Sequence, residues 1–319
     1  MAKIIHDQAG QFLSEISPRD QKWDTHRGNT QSVAGNYAGN DRYQRLSERM
    51  CKCTTTLGFA ELIDGDGVVG GLKLKTAMFC HVRNCPVCAW RKSLRNVARV
   101  FTQMPLLATL YPKASWLFLT LTVKNPPMSD LRTTLNSMNR AWHRLIELQS
   151  WPAEGYIRAT EITRDNAGNP HPHFHCMLLV KPGYFKGGNY ITQLQWALNW
   201  QASLRVDYLP VIDIRKVKSK DQTIAAAVVE TLKYAVKPGD VIADPEFLHG
   251  ITDQCRKLRF LATGGVLKDV LKDSVGDNEM INTDLAEGET DPPAETVPSL
   301  FFGWRTDMRK YKLVRKVKV

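Results

Sequence analysis

The 319-residue chain has no run of apolar residues of the length, about 18, that a bilayer-spanning helix needs. Its first residues lack the charged-then-apolar pattern of a secretion signal. These absences lead to the expectation of a soluble cytoplasmic protein with no membrane partner. The sequence also lacks a phosphate-cradling loop: "GGVLKD", beginning at Gly264, does not fit G-x4-G-K-[ST]. Nucleotide-driven helicase work is therefore not expected of this chain. Acidic residues are scarce relative to basic ones, 32 against 43, for a net charge of +11. The stretch Asp269 to Glu295 is itself acidic, so the remainder is more basic than the total implies. A polyanion, nucleic acid foremost, is the partner such a charge suits.

Cysteine is nearly absent outside one short region. Five of the seven fall in residues 51–88, as Cys51, Cys53, Cys80, Cys85 and Cys88. Without a secretion signal, such clustering points to a metal rather than to disulfides. Cys80, Cys85 and Cys88 with either Cys51 or Cys53 supply four thiolates, the closed shell of a structural zinc ion. Basic residues follow at once (Arg91, Lys92, Arg95, Arg99) on a helical pattern running from Pro86 to Leu107, which suggests a zinc-braced helix contacting duplex DNA. Cys176 and Cys255 stand apart and read as core thiols.

Residues 1–45 are polar and broken by "RGNTQSVAGNYAGN", the pattern of an extended arm or a loosely packed lead-in. Residues 46–110 form the zinc-binding and DNA-binding module, and 111–263 the domain that carries the chemistry. Residues 264–298 turn acidic and read as a flexible linker. Residues 299–319 are basic, either an edge strand or a nucleic-acid-contacting tail. Within 111–263 the patterns run strand ("WLFLTLTVK"), helix (from Ser129 as N-cap), strand ("GYIRATEIT"), strand ("HPHFHCMLLV"), helix, strand ("VIDIRKVK"), helix ("DQTIAAAVVETLKYAV"). The two adjacent strands are joined by the turn "RDNAGNP" as a hairpin. This order predicts an α+β fold: an antiparallel-rich central sheet with helices packed on it.

The stretch "NPHPHFHCMLLV" places His171, His173 and His175 on one side of a strand, because side chains alternate. Pro172 favours an edge position or a strand start. Paired imidazoles on a rigid strand suit a divalent cation with open positions, although a histidine-rich surface strand has the same pattern. Glu161 lies within reach across the hairpin. Two histidines and a carboxylate, open on one side, form a catalytic rather than a structural arrangement. On a continuous helix Glu230, Tyr234 and Lys237 fall at i, i+4 and i+7 on one face. That face is either a solvated charge stripe or, beside a metal, a covalent nucleophile with its helpers.

"HPHFHCMLL" resembles the His-hydrophobe-His motif of the HUH endonucleases. "FLTLTVKN" resembles the motif that precedes it in plasmid rolling-circle replication initiators, and "ETLKYAVKPGD" resembles their tyrosine motif. The tyrosine follows the histidines, as in initiators, whereas relaxases of the same superfamily carry it ahead of them. "WDTHRGNT" and "FCHVRNCPVCAWRKSLR" resemble the N-terminal region of the single-tyrosine branch with a cysteine cluster. The resemblance spans residues 20–240 and implies a ferredoxin/RRM-like palm. It also implies a site in which His173, His175 and Glu161 hold Mn2+ or Mg2+, Tyr234 is the nicking nucleophile, Glu230 stands where a second tyrosine would be, and Lys237 assists. His171 has no assigned counterpart and is a substrate contact or a support for the ligands. Cys53 is implied as the fourth zinc ligand, with Cys51 as the substitute.

The implied activity is nicking and joining of a single strand at a plasmid origin through a 5′-phosphotyrosyl intermediate, with Glu230 activating water at termination. The implied partners are origin DNA, as a double-stranded binding site and a single-stranded nick site, and a host helicase and DNA polymerase. An HUH transposase, a mobilisation relaxase and a non-catalytic zinc-dependent DNA-binding regulator are the alternatives.

Overall fold

The computed structural model describes residues 11–63, 69–217, 221–233, 235–271, 278–281 and 298–317. Its elements begin with α1 (Leu13–Ile16), α2 (Gln21–Ala38), α3 (Gln44–Cys51), β1 (Thr56–Ile63), β2 (Val69–Ala77) and α4 (Pro86–Leu110). There follow β3 (Ser115–Thr122), α5 (Leu131–Ile146), β4 (Ala153–Arg164), β5 (Pro170–Val180), α6 (Gln193–Leu204), β6 (Ile212–Val217) and α7 (Asp221–Leu232). The last are α8 (Pro238–Ala243), α9 (Pro245–Gln254), β7 (Leu261–Gly265), α10 (Asn278–Ile281), β8 (Leu300–Arg305) and β9 (Lys310–Lys316). Among the described residues no helix is long and apolar enough to cross a membrane. The fold is α+β, with two antiparallel sheets and packed helices. The chain divides into two compact units, residues 1–98 with 275–319 and residues 99–274.

The first unit is built on the sheet β2-β1-β8-β9, antiparallel throughout. The C-terminal segment is therefore a hairpin whose first strand is interior and whose second is the edge. Phe302 on β8 and Tyr311 and Leu313 on β9 face inward in alternation, and a register shift at Phe301/Phe302 leaves Arg315 exposed. Tyr311 anchors the hairpin: its backbone N–H donates to Asp24 (2.8 Å) and its hydroxyl donates to the Thr54 carbonyl (2.6 Å). Residues 11–45 are not the extended arm that their polarity suggested. They include the helix α2, which buries Trp23, Arg27, Thr30, Ala34 and Tyr37 at helical spacing. Two of those five positions are polar, so the apolar stripe is broken in the sequence, and Gly28 and Gly35 lower the local helix propensity that packing then overrides.

The second unit follows the order strand, helix, strand, strand, helix, strand, with sheet order β6-β3-β5-β4-β7. Without β7 this is the ferredoxin-like arrangement. Helices α5 and α6 pack together on one face. The α5 stripe Leu131, Leu135, Met138, Trp142 and Leu145 is buried, and Trp142 and Trp200 close on Phe174. Asp130, not Ser129, is the N-cap of α5, because a short 3-10 turn over Met128–Asp130 intervenes. Helix α7 packs against β4, β5 and β6. The β4–β5 hairpin closes as its sequence demands: Asp165 accepts from the N–H groups of Ala167 (2.9 Å) and Asn169 (2.8 Å), and Gly168 takes φ +88°. Pro172 lies in a central strand, but at its start, beyond the His173–Thr122 pair where β3 ends.

Two further expectations change. Helix α7 ends at Leu232, not at Pro238. The Ala235 carbonyl accepts from Ile162 N–H at 2.8 Å and Val236 bridges to Ile162 in parallel, so the chain leaves the helix to pair with the free edge of β4. Pro238 reinforces this, since the residue before a proline is driven out of the helical region, and Lys237 has ψ 129°. Glu230 and Lys237 therefore share no helix face, and Tyr234 lies outside the described residues. Of the expected linker 264–298, Gly264 and Gly265 end β7, 278–281 form α10, and 272–277 and 282–297 lie outside the described residues.

Candidate metal centres

The first unit gathers Cys53, Cys80, Cys85 and Cys88, all buried. Cys53 follows α3, Cys80 follows β2, Cys85 immediately precedes α4, and Cys88 lies in its first turn. The sulfur separations are 3.7 Å for Cys53–Cys88, 3.7 Å for Cys53–Cys85 and 3.6 Å for Cys80–Cys88. Thiolates about 2.3 Å from a tetrahedral zinc ion stand about 3.8 Å apart, so the spacing fits that ion. Cys51 is exposed and outside the cluster. Thr54 and His81, each directly after one of these cysteines, have φ of 48° and 54°. A non-glycine residue held there costs about 1–3 kcal/mol, strain that a metal would offset. Cys85 is held well below the ordinary thiol range: burial opposes ionisation, but the three neighbouring sulfurs outweigh it. Those same contacts push Cys53 and Cys88 up. Four thiols this close ionise together only around a cation.

Arg91, expected to face DNA, is buried. Its guanidinium donates to the carbonyls of Met280 (2.7 Å) and Ile281 (3.1 Å) and stacks near Trp23 and Trp90. Lys92 is exposed. Cys176 and Cys255 are fully buried and belong to neither cluster.

In the second unit the register sets Glu161 of β4 opposite His173 of β5, with His175 two residues on. The three are buried and converge. Glu161 Oε2 is 3.1 Å from His173 Nε2 and 2.8 Å from His175 Nε2, and the two nitrogens are 3.2 Å apart. Neighbouring ligands about 2.1 Å from an octahedral ion stand about 3.0 Å apart. The triangle thus fits one face of an octahedral divalent ion, with the other positions open. The far ring nitrogens are already engaged: His173 Nδ1 lies 3.1 Å from the His171 carbonyl, and His175 Nδ1 lies 3.3 Å from Thr120 Oγ1. A carbonyl can only accept, so His173 donates from Nδ1, which leaves Nε2 as the nitrogen that faces Glu161 and would ligate an ion.

Helix α7 brings two more groups. Glu230 Oε1 stands 3.9 Å from His175 Nε2, and Lys233 Nζ reaches Glu230 Oε1 (2.5 Å) and Glu161 Oε2 (3.1 Å). Burial opposes ionisation of Glu161, but hydrogen bonds from His173, His175 and Lys233 outweigh it and hold the carboxyl far below its usual range. Burial likewise opposes the charge on Lys233, and Glu230 and Glu161 outweigh it and raise its pKa. His171 stands apart from the triangle: Nδ1 lies 2.5 Å from Asn125 Oδ1, Asn125 donates to Asp165 (2.7 Å), and burial lowers the imidazole pKa. Lys237 is exposed and caps α8. The sequence reading gave Thr120 and Asn125 no role. Thr120 was legible, because it faces His175 in the strand pairing.

A family profile described as "Replication protein" matches residues 71–312. A "Protein rep" of Bacillus amyloliquefaciens is 32% identical over 296 residues, covering 85% of this chain and 86% of that protein. A "Protein rep" of Streptococcus pneumoniae serotype 2 is 33% identical over 235 residues, covering 72% of each chain. One of Lactiplantibacillus plantarum is 36% identical over 216 residues, 63% of this chain and 68% of that protein. No solved structure matches the chain.

Proposed function

Because the chain belongs to the family of plasmid replication initiator proteins, we propose that it starts rolling-circle replication by nicking one strand at the origin. The observation that carries this reading is the triangle of Glu161, His173 and His175, a donor set with open positions, beside the chain that bears Tyr234. Both neighbours of position 234 are held at β4: Lys233 on Glu161, and the Ala235 carbonyl on Ile162 N–H.

Glu161, His173 and His175 would hold a divalent cation, Mn2+ or Mg2+, whose charge would stabilise the oxygens of the scissile phosphate. The Tyr234 hydroxyl gives up its proton to solvent and its oxygen attacks phosphorus in line. The Tyr–O–P bond forms, the bond to the 3′-oxygen breaks, and that oxygen leaves and takes a proton from solvent to become a 3′-hydroxyl. A host polymerase extends that end while a host helicase opens the duplex. The phosphotyrosine keeps the bond for later rejoining, so no nucleotide cofactor is needed.

At termination Tyr234 is still blocked by its first strand. Glu230, with its side chain 46% exposed and 3.9 Å from His175, takes a proton from water, which cleaves the regenerated origin by hydrolysis. Lys237 is a solvent-side cation for the substrate. Cys53, Cys80, Cys85 and Cys88 would hold a zinc ion that braces the first unit for duplex origin DNA. In this reading the DNA-binding module is residues 46–98 together with α2 and the β8–β9 hairpin, while residues 99–110 belong to the second unit.

Nicking of a labelled single-stranded origin with Mn2+ tests the reading. The wild-type protein cuts and becomes covalently joined to the DNA. His175→Ala retains fold and binding but loses cutting by more than the roughly 10–100-fold that loss of a supporting group costs. Undiminished cutting by His175→Ala overturns the site.

A further inference from the structure

Three electron-pair donors meet at one point in the second unit. His173 Nε2 and His175 Nε2 both face Glu161 Oε2, at 3.1 and 2.8 Å. Lys233 supplies positive charge at that same oxygen, with Nζ 3.1 Å from Glu161 Oε2 and 2.5 Å from Glu230 Oε1. Its side chain is 29% exposed against 4% for Glu161, so the ammonium is the solvent-side partner of that oxygen.

We propose that Lys233 is a built-in counter-ion of the divalent-cation site: its ammonium neutralises Glu161 in the metal-free protein, and an incoming ion displaces it. An ammonium and a divalent ion cannot both occupy the region beside Glu161 Oε2 without strong repulsion. Lys233 therefore sets how tightly the ion binds. It also couples occupancy to the end of α7, because Lys233 lies just past the last helical residue and directly before Tyr234. Metal entry frees the ammonium from Glu161 and leaves it with Glu230 or with an arriving phosphate. Lys233 acts through the carboxylates and is a positioning residue.

The proposal rests on the metal reading of this site, and one experiment separates the two. The full-length, zinc-loaded protein is titrated with Mn2+ by calorimetry. In parallel it is treated with an amine-acetylating reagent with and without saturating Mn2+, and acetylation of Lys233 is read by mass spectrometry. Displacement predicts that Mn2+ raises Lys233 acetylation severalfold in the wild type and leaves it unchanged in His175→Ala. It also predicts that Lys233→Met binds Mn2+ about tenfold more tightly, the size of effect that one adjacent charge exerts. Tight Mn2+ binding with unchanged or reduced Lys233 acetylation overturns the counter-ion role and leaves the metal site standing. Mn2+ binding that is no stronger in the wild type than in His175→Ala overturns the metal site, and the proposal with it.

Discussion

Cys85 and Cys176 are equally buried, each 0% exposed, so a serine at either position removes the same sulfur from equally dry surroundings. For a plain core thiol the buried hydroxyl costs about 1–3 kcal/mol, a fall in Tm of roughly 3–10 °C. Geometry separates the two. Cys176 sits opposite Arg158 in the β4–β5 ladder with no second thiol nearby. Cys85 stands 3.7 Å from Cys53 in a four-sulfur cluster. A structural zinc site contributes about 10–16 kcal/mol in small zinc domains, as much as the whole stability of an ordinary domain, about 5–15 kcal/mol. Cys85→Ser is therefore expected to unfold the first unit, whereas Cys176→Ser shifts the second unit's transition modestly. Zinc content by mass spectrometry and thermal melts by circular dichroism, with and without a chelator, read this out. Wild type and Cys176→Ser should carry one zinc per chain and lose the first unit's transition on chelation; Cys85→Ser should carry none and be indifferent to the chelator. Equal losses in Tm for the two variants, with zinc content unchanged in both, would refute the zinc assignment.

Three other outcomes follow from single residues. Tyr234→Phe should abolish both nicking and the covalent adduct, while Glu230→Ala should nick and form the adduct but yield over-length strands from a two-origin plasmid; strands of normal length would leave Glu230 as a mere ion-pair partner of Lys233. His26 stacks on Trp90 with ring centres 4.3 Å apart, and burial pushes its pKa from 6.5 to about 4. The unfolded chain takes up a proton near pH 6.5 and the folded chain only near pH 4, so stability is full above pH 6.5 and falls by about 3 kcal/mol as pH drops through that window. Urea melts between pH 7 and 4 should show this slope in the wild type and a flatter one in His26→Phe; identical slopes would remove His26 as its source.

The parts of the molecule readable in advance were those whose information is local. The Asp165–Gly168 turn fixes the β4–β5 register, and that register alone sets Glu161 opposite His173. The C-x4-C-P-x-C spacing around the start of α4 likewise gathers three of the four sulfurs. The misread parts depend on distant partners. Helix α2 looks like an arm because its inward face carries Arg27 and Thr30, whose partners are the Cys51 carbonyl and the Cys85 sulfur. Helix α7 was drawn too long because the helical pattern continues in the sequence, and only the unpaired edge of β4 at Ile162 draws residues 235 and 236 out of it. The role of Arg91 was inverted for a similar reason: its acceptors, the Met280 and Ile281 carbonyls, are far along the chain. Lys233 became visible only once Glu161 and Glu230, far apart in sequence, were seen to share its ammonium.

The identity of the residue joined to DNA tests the central claim most directly. The wild-type protein is incubated with single-stranded origin DNA and Mn2+, the adduct is digested with protease and nuclease, and the nucleotide-bearing peptide is sequenced by mass spectrometry. Tyrosine transesterification predicts a 5′-phosphoryl nucleotide on Tyr234 and none on any other residue, with the adduct missing from Tyr234→Phe and from His175→Ala. Attachment at another side chain, or origin cleavage by Tyr234→Phe at the wild-type rate, would contradict it.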